Sequence, residues 1–232
     1  MFKTKAALLG ALGLMMVIGV AVSSAQALGP YWHVNGAKLT QGEKQVKVQP
    51  KGNLVFKGKI VALPFTMECA YSSGDNGAIE GNGNSQGQGK GEANLSECKS
   101  TSISKCAVEE SVFTNQFKTH LVTFSGGQSK YAILLEPQQG TTLATITLIN
   151  GSEKCVAAGE FPVTGSVAAE ITPKEIETGE GQLNFPSTPI TTVSLEGVER
   201  KISLTLGGAA ASFNGIYGAR LDGGETAGVF GT

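Results

Sequence analysis

The sequence predicts an all-β protein, and three observations support this prediction. Short runs rich in Val, Ile, Leu, Phe and Thr recur about every ten residues, separated by Gly, Asn, Ser and Pro. Helical periodicity is nearly absent. The run 202–206 alternates apolar and polar side chains, as a strand with one face in water does. We therefore expect a two-layer β-sandwich with Greek-key or meander connections; a partly open β-barrel is the alternative.

The chain begins with the features of an export signal. Two lysines precede an uncharged apolar run, 6–22, and small residues follow as far as Ala27. This pattern predicts a cleavable signal helix over residues 1–27, with cleavage between Ala27 and Leu28. The apolar run approaches the length of a membrane-spanning helix, so retention as an uncleaved anchor is the alternative.

Cleavage would leave 28–232 as the mature chain, with 16 basic and 19 acidic residues and a net charge of −3. Only two of the basic residues are arginines, and no basic cluster follows a surface that could bind a phosphate backbone. We expect no nucleic-acid partner, and no membrane contact after the signal is removed. The length suits one large domain.

The strands can be placed by their apolar runs and by the turn residues between them. Asn35–Gly36 predicts the first hairpin turn, because both residues accept positive φ. The candidate strands are 45–48, 54–65, 115–124, 131–136, 143–149, 163–171, 191–195, 202–206 and 212–221.

Two stretches interrupt this pattern. Segment 74–91 holds seven glycines among Asn, Ser and Gln, which predicts a long surface loop with a short edge strand at 78–80. Segment 172–189 contains three prolines and three glutamates and is the best candidate for a sub-boundary. The 43 residues after it are too few to hold a core of their own, so we expect them to complete a single domain, 28–232.

All four cysteines lie in the mature chain, and an even number in an exported protein predicts two disulfides. Four cysteines allow three pairings. The pairing we favour joins Cys69 to Cys98 across the Gly-rich segment, which leaves Cys106 for Cys155.

Three stretches carry a resemblance to known proteins: 32–39 (WHVNGAKL), the Gly-rich stretch between cysteines, and 221–230 (LDGGETAGVF). In these the chain resembles a family of secreted all-β proteins from high-GC Gram-positive soil bacteria. The resemblance implies an exported all-β protein. It implies no activity, because none is assigned to that family.

Tyr31 and Trp32 form the aromatic cluster nearest the mature N-terminus, and Trp32 is the only tryptophan. An exposed aromatic pair is a candidate ligand-binding platform, on which a sugar ring could stack. The alternative is that Trp32 closes the end of the core, because tryptophan is usually well buried.

Motifs for catalysis are weak. Ser102 and Lys105 fit Ser-x-x-Lys without its companion motifs, and we interpret them as a polar loop. His33 and His120 are isolated in sequence, and we expect His120 to be structural. No residue is predicted to be catalytic, to bind a metal or to bind a cofactor.

We therefore expect a non-enzymatic extracellular module that is structural or binds a ligand, with a cell-envelope glycan or another extracellular protein as partner. A secreted hydrolase with an unidentified active site is the alternative. The sequence leaves the oligomeric state open.

Overall fold

The computed structural model describes residues 29–83, 86–125, 131–173 and 177–231. The predicted signal peptide and its cleavage site, Ala27–Leu28, lie outside them. The described residues contain nineteen strands and no helix, which confirms the all-β class. The strands are β1 (Tyr31–Val34), β2 (Ala37–Lys38), β3 (Gln41–Pro50), β4 (Leu54–Ile60), β5 (Leu63–Asn82), β6 (Gln88–Ser100), β7 (Cys106–Val108), β8 (Ser111–Phe113), β9 (Phe117–Thr123), β10 (Tyr131–Pro137), β11 (Thr142–Asn150), β12 (Gly159–Gly165), β13 (Val167–Thr172), β14 (Gly181–Phe185), β15 (Thr192–Leu195), β16 (Val198–Lys201), β17 (Leu204–Leu206), β18 (Ala209–Leu221) and β19 (Ala227–Phe230).

Eight of these strands form a closed ring, which we call ring one. Its order is β14-β13-β10-β9-β6-β5-β3-β18, and β18 pairs with β14 to complete the circle. Every neighbouring pair is antiparallel. Closure leaves no unpaired sheet edge along this path.

A second ring shares three strands with the first. In ring two, β4 pairs with both β5 and β18, and β18 continues through β17 and β12 to β11. On the other side β5 pairs with β6, which pairs with β8, and a bridge between Thr114 and Ala144 joins the end of β8 to β11. The long strands β5, β6 and β18 belong to both rings.

The hydrogen bonding therefore agrees with the barrel alternative in a closed form. The two-layer sandwich, in which opposite walls would pack face to face, stays a prediction. Strands before, in and after the predicted sub-boundary 172–189 pair with one another in ring one. β14, which lies inside this segment, pairs with β13 before it and with β18 after it, and β18 also pairs with β3.

A small sheet covers one end of ring one. It has the order β19-β1-β2, and the predicted Asn35–Gly36 turn joins β1 to β2. Trp32 and Val229 point from this sheet into an apolar cluster formed with Ile79, Leu121 and Ile133. The larger cluster fills ring two, around Leu54, Phe65, Ile146 and Leu206 among others.

The Gly-rich segment 74–91 is not the surface loop that its composition predicts. The structure places 74–82 in β5 and 88–91 in β6, two paired strands in the wall of ring one. A side chain would collide with neighbours at several of its glycines: an added Cβ at Gly81 would lie 2.5 Å from the Gln41 backbone nitrogen, and one at Gly87 would lie 2.5 Å from Leu121 Cδ1. These glycines permit close packing, and composition alone does not distinguish that role from loop flexibility.

Two predicted strands are each divided by a turn. The run 54–65 contains the hairpin between β4 and β5, with Val61 and Ala62 at its tip, and 163–171 is divided between β12 and β13. The remaining predicted strands overlap observed ones. Eight observed strands have no counterpart among the candidates: β1, β2, β6, β7, β8, β14, β16 and β19. Seven of them have at most five residues, and β6 begins in the Gly-rich segment that its composition assigns to a loop.

Two disulfides join Cys69 to Cys98 and Cys106 to Cys155, which is the pairing favoured from the sequence. Cys69 and Cys98 are direct cross-strand partners in β5 and β6. Such bonds are typical of proteins from an oxidising compartment. The described ranges contain no helix that is long and apolar enough to cross a membrane.

Candidate functional site

An apolar cavity of about 190 Å³ runs between the two rings. Val46 and Ile133 line it in ring one, and Phe56 and Ile146 line it in ring two. Trp32 lines it from the small sheet β19-β1-β2. Because residues of both rings line it, the cavity extends from one ring into the other. It offers space for a slender apolar molecule.

Glycines and alanines create much of this space. Along β6 the cavity is lined at alternate positions by Gly91, Ala93 and Leu95, so the side chains on this face grow along the strand. The Phe117 ring lies against Gly91, where an added Cβ would be 3.1 Å from it. This part of ring one therefore presents small side chains, or none, to the cavity.

The lining is almost entirely apolar. Lys90 is one of the charged residues that contribute to it, and its ammonium group is directed to Glu43 at 2.7 Å and to Glu80 at 3.0 Å. An apolar cavity stays dry, and one of about 150 Å³ can bind benzene. Leaving such a volume empty costs about 24 cal/mol per Å³, which is about 4 to 5 kcal/mol here. A ligand that filled the cavity would recover part of this free energy.

Tyr217 is one of the residues that line the cavity. Burial raises the pKa of Tyr217 to about 12. The phenol is therefore neutral at physiological pH.

Trp32 does not form the exposed platform that the sequence offered as one possibility. Its side chain is 7% exposed, and its indole Nε1 donates a hydrogen bond to the Gln88 carbonyl oxygen at 3.0 Å. This hydrogen bond satisfies the indole, which packs with Leu121 and Val229. The sequence does not show this because the partners of Trp32 come from β6, β9 and β19.

Tyr31 lies on the other face of β1, where it is partly exposed. Its ring is 5.4 Å from the His33 ring, which is 4.3 Å from the Phe230 ring, and Lys38 Nζ is 4.2 Å from the Tyr31 centroid. Tyr31 and Trp32 therefore face opposite ways and do not form one site.

The residues considered for catalysis have other partners. Ser102 Oγ accepts a hydrogen bond from the Thr66 backbone N–H at 2.7 Å, and Lys105 Nζ pairs with Glu153 at 2.7 Å. This agrees with a polar loop. Asp222, one of the two aspartates in 28–232, has a carboxylate oxygen 2.7 Å from Lys47 Nζ on the surface.

The two histidines each lie beside one glutamate. His33 Nδ1 is 3.4 Å from Glu177 Oε1, and both oxygens of Glu177 also accept the Gly36 backbone N–H at 2.8 Å. His120 Nε2 is 3.9 Å from Glu136 Oε2. Burial lowers the pKa of His120, against the opposing effect of Glu136. The described residues contain no group of three or more His, Cys, Asp and Glu side chains that could hold a metal.

Sequence reasoning missed the cavity, although one signal pointed toward it. Gly87, Gly89 and Gly91 recur with a period of two, which is the period of one face of a strand. A flexible loop has no reason for that period. The rest of the lining comes from strands distant in sequence and has no local signature.

No protein-family model, curated protein or solved structure matches the chain. The resemblance to secreted proteins of high-GC Gram-positive soil bacteria therefore stays a prediction.

Proposed function

We propose that the protein is an exported, non-enzymatic binding module that holds a slender apolar ligand, such as an alkyl chain, in the cavity between its two rings. The observation that carries this proposal is the cavity itself, about 190 Å³ in volume and lined almost wholly by apolar side chains. Small closed β-structures commonly hold one small ligand inside the sheet.

Export is part of the same proposal. It is supported by the signal-like residues 1–27 and by the two disulfides, which suit an oxidising compartment. A glycan platform at Tyr31 and Trp32 is not proposed again, because Trp32 is buried. The secreted hydrolase stays an alternative prediction with no residues assigned to it.

The single tryptophan gives a direct assay, because Trp32 lines the cavity. A straight-chain fatty acid that carries bromine on its alkyl chain quenches tryptophan fluorescence only on close contact. We expect saturable quenching of Trp32, together with a rise in the melting temperature.

Ala144→Leu provides the matching variant, because Ala144 is buried in the cavity lining and the larger side chain would occupy part of the space. We expect it to weaken quenching at least tenfold. Thr145→Leu introduces the same side chain on the exposed face of β11 and is the control. The ligand should quench the tryptophan fluorescence of this variant as it does that of the wild type. Absence of saturable quenching in the wild-type protein, or equal quenching in Ala144→Leu, would contradict the proposal.

A further inference from the structure

The hairpin between β4 and β5 ends in an unusual turn. Val61 and Ala62 occupy its two central positions, with φ of 48° and 66°. This left-handed region suits Asn and Gly, and a β-branched residue is rarely found there. The turn therefore places apolar side chains where the backbone disfavours them.

Other turns in the same chain show what the backbone prefers. In the described ranges, three further two-residue turns have positive φ at both central positions, and each has glycine second. They are Asn35–Gly36, Glu196–Gly197 and Gly207–Gly208. The Val61–Ala62 turn departs from this pattern, and local folding does not explain the departure.

The side chains at this tip are apolar and open to solvent. Val61 is 74% exposed and Leu63 is 43% exposed, and Ala62 and Pro64 are exposed beside them. Ile60, the residue before the turn, is buried in the core of ring two. The tip is thus a small apolar projection on a firmly anchored hairpin.

Two lysines lie directly behind the tip. Lys57 and Lys59 are exposed on the outer face of β4, and neither has a carboxylate within 4.0 Å in the part of the chain that the structure describes. Among the ten other lysines in the described ranges, six have such a partner and four (Lys38, Lys99, Lys154 and Lys201) do not. The six are Lys44, Lys47, Lys51, Lys90, Lys105 and Lys118. In a chain of net negative charge, this hairpin keeps two cations free beside an apolar end.

We infer that the hairpin tip docks on the surface of a lipid bilayer that contains anionic headgroups. Val61 and Leu63 would enter the acyl boundary. Lys59 stands two residues behind Val61, about 7 Å along an extended strand, which is close to the thickness of one headgroup layer. Lys59 would therefore lie at the level of the lipid phosphates. Lys57, about 13 Å behind Val61, would lie just outside them, where it is still attracted by the negative surface potential.

This inference departs from the expectation that the mature chain makes no membrane contact. It does not rest on the apolar ligand, because the tip and its lysines lie on the outside of ring two. A vesicle assay without any added ligand therefore tests it separately from the proposed function.

The experiment is co-sedimentation of the exported protein with two kinds of vesicle. Mass spectrometry first checks that the signal peptide has been cleaved. One contains phosphatidylglycerol and phosphatidylcholine, and the other contains phosphatidylcholine alone. We expect at least tenfold stronger partitioning to the anionic vesicles. Removing both cations in Lys57→Ser/Lys59→Ser should erase that preference, by about fivefold per lysine.

The decisive variant is Val61→Asn/Ala62→Gly. It introduces the Asn-Gly sequence that this turn prefers, so it should fold at least as well as the wild type. We expect it to lower partitioning at least tenfold, while Val198→Asn, which changes another exposed valine next to a turn, leaves partitioning unchanged. The inference is overturned if the wild type binds neither vesicle or if the turn variant binds equally well. It is also overturned if the tip mediates self-association in sedimentation equilibrium instead.

Discussion

Tyr217 is the residue whose ionisation reports most directly on the packing around the cavity. Burial raises the pKa of this phenol from 10.0 to about 12. Between pH 10 and about pH 12 the Tyr217 phenol therefore keeps its proton in the native state, whereas it loses that proton in the unfolded state. This contribution to stability is complete below pH 10 and is lost as pH rises through 12, a difference of about 3 kcal/mol.

Tyr217→Phe removes this ionisation and keeps the ring. We expect the free energy of unfolding of the wild type to fall more steeply than that of the variant between about pH 10 and about pH 11.5. Urea unfolding at several pH values measures both slopes. Parallel slopes would mean that the phenol ionises as readily in the folded protein as in the unfolded chain.

Individual residues also show where sequence reasoning reaches its limit. The period of two in Ile202–Leu206 identified a strand, because alternation is a local property. The burial of Trp32 depends on Leu121 and Val229, about 90 and 200 residues away. A cluster of aromatic residues in the sequence does not show which face of a strand each side chain occupies.

Among the elements, the paired strands β5 and β6 test the account of the Gly-rich segment. If its glycines allow close packing, adding a methyl group must force neighbouring atoms apart. At Gly81 these are backbone atoms of Leu39, Thr40 and Gln41, between 2.5 and 2.9 Å from an ideal Cβ. Gln41 begins β3, and backbone hydrogen bonds hold the other two residues: the Leu39 N–H donates to the Trp32 carbonyl oxygen, and the Thr40 carbonyl oxygen accepts from the Gly83 N–H. These backbone atoms therefore have little freedom to move.

We expect Gly81→Ala to lower the free energy of unfolding by about 1 to 3 kcal/mol. Gly52→Ala is the matched control, because its Cβ would meet nothing within 4 Å and its φ is not positive. The control should change stability by less than about 0.5 kcal/mol. Chemical denaturation compares the two variants, and equal stabilities would restore the interpretation of 74–91 as a loop.

The hairpins show what else can be predicted at this scale. Asn35–Gly36 was recognised because its residues match the turn that they form. Val61–Ala62 was not recognised, because the four residues 60–63 (IVAL) are all apolar and include neither of the residues, Asn and Gly, that favour such a turn. A turn that opposes local preference is visible only once its strands have paired.

For the molecule as a whole, the sequence predicts the all-β class and the disulfide pairing more readily than the closure of the rings. Cysteine spacing and turn residues are local. Closure depends on β18 pairing with both β14 and β3, and strand pairing over such distances has no local sequence signal. The cavity follows from closure, so it was beyond prediction as well.

The central claim is that the space between the two rings receives an apolar ligand. β5, β6 and β18 each contribute to both rings, so the cavity wall is built from strands that pair along most of their length. Such a wall holds its shape with or without a ligand. A preformed site binds without the cost of ordering a loop.

The most direct measurement is a crystal structure of the protein with a straight-chain fatty acid brominated at its methyl end, phased to locate bromine by its anomalous signal. The account predicts a bromine peak inside the cavity, in contact with side chains such as Trp32, Phe56 or Ile146. A fully occupied ligand found only on the outer surface, with the cavity empty, would contradict it.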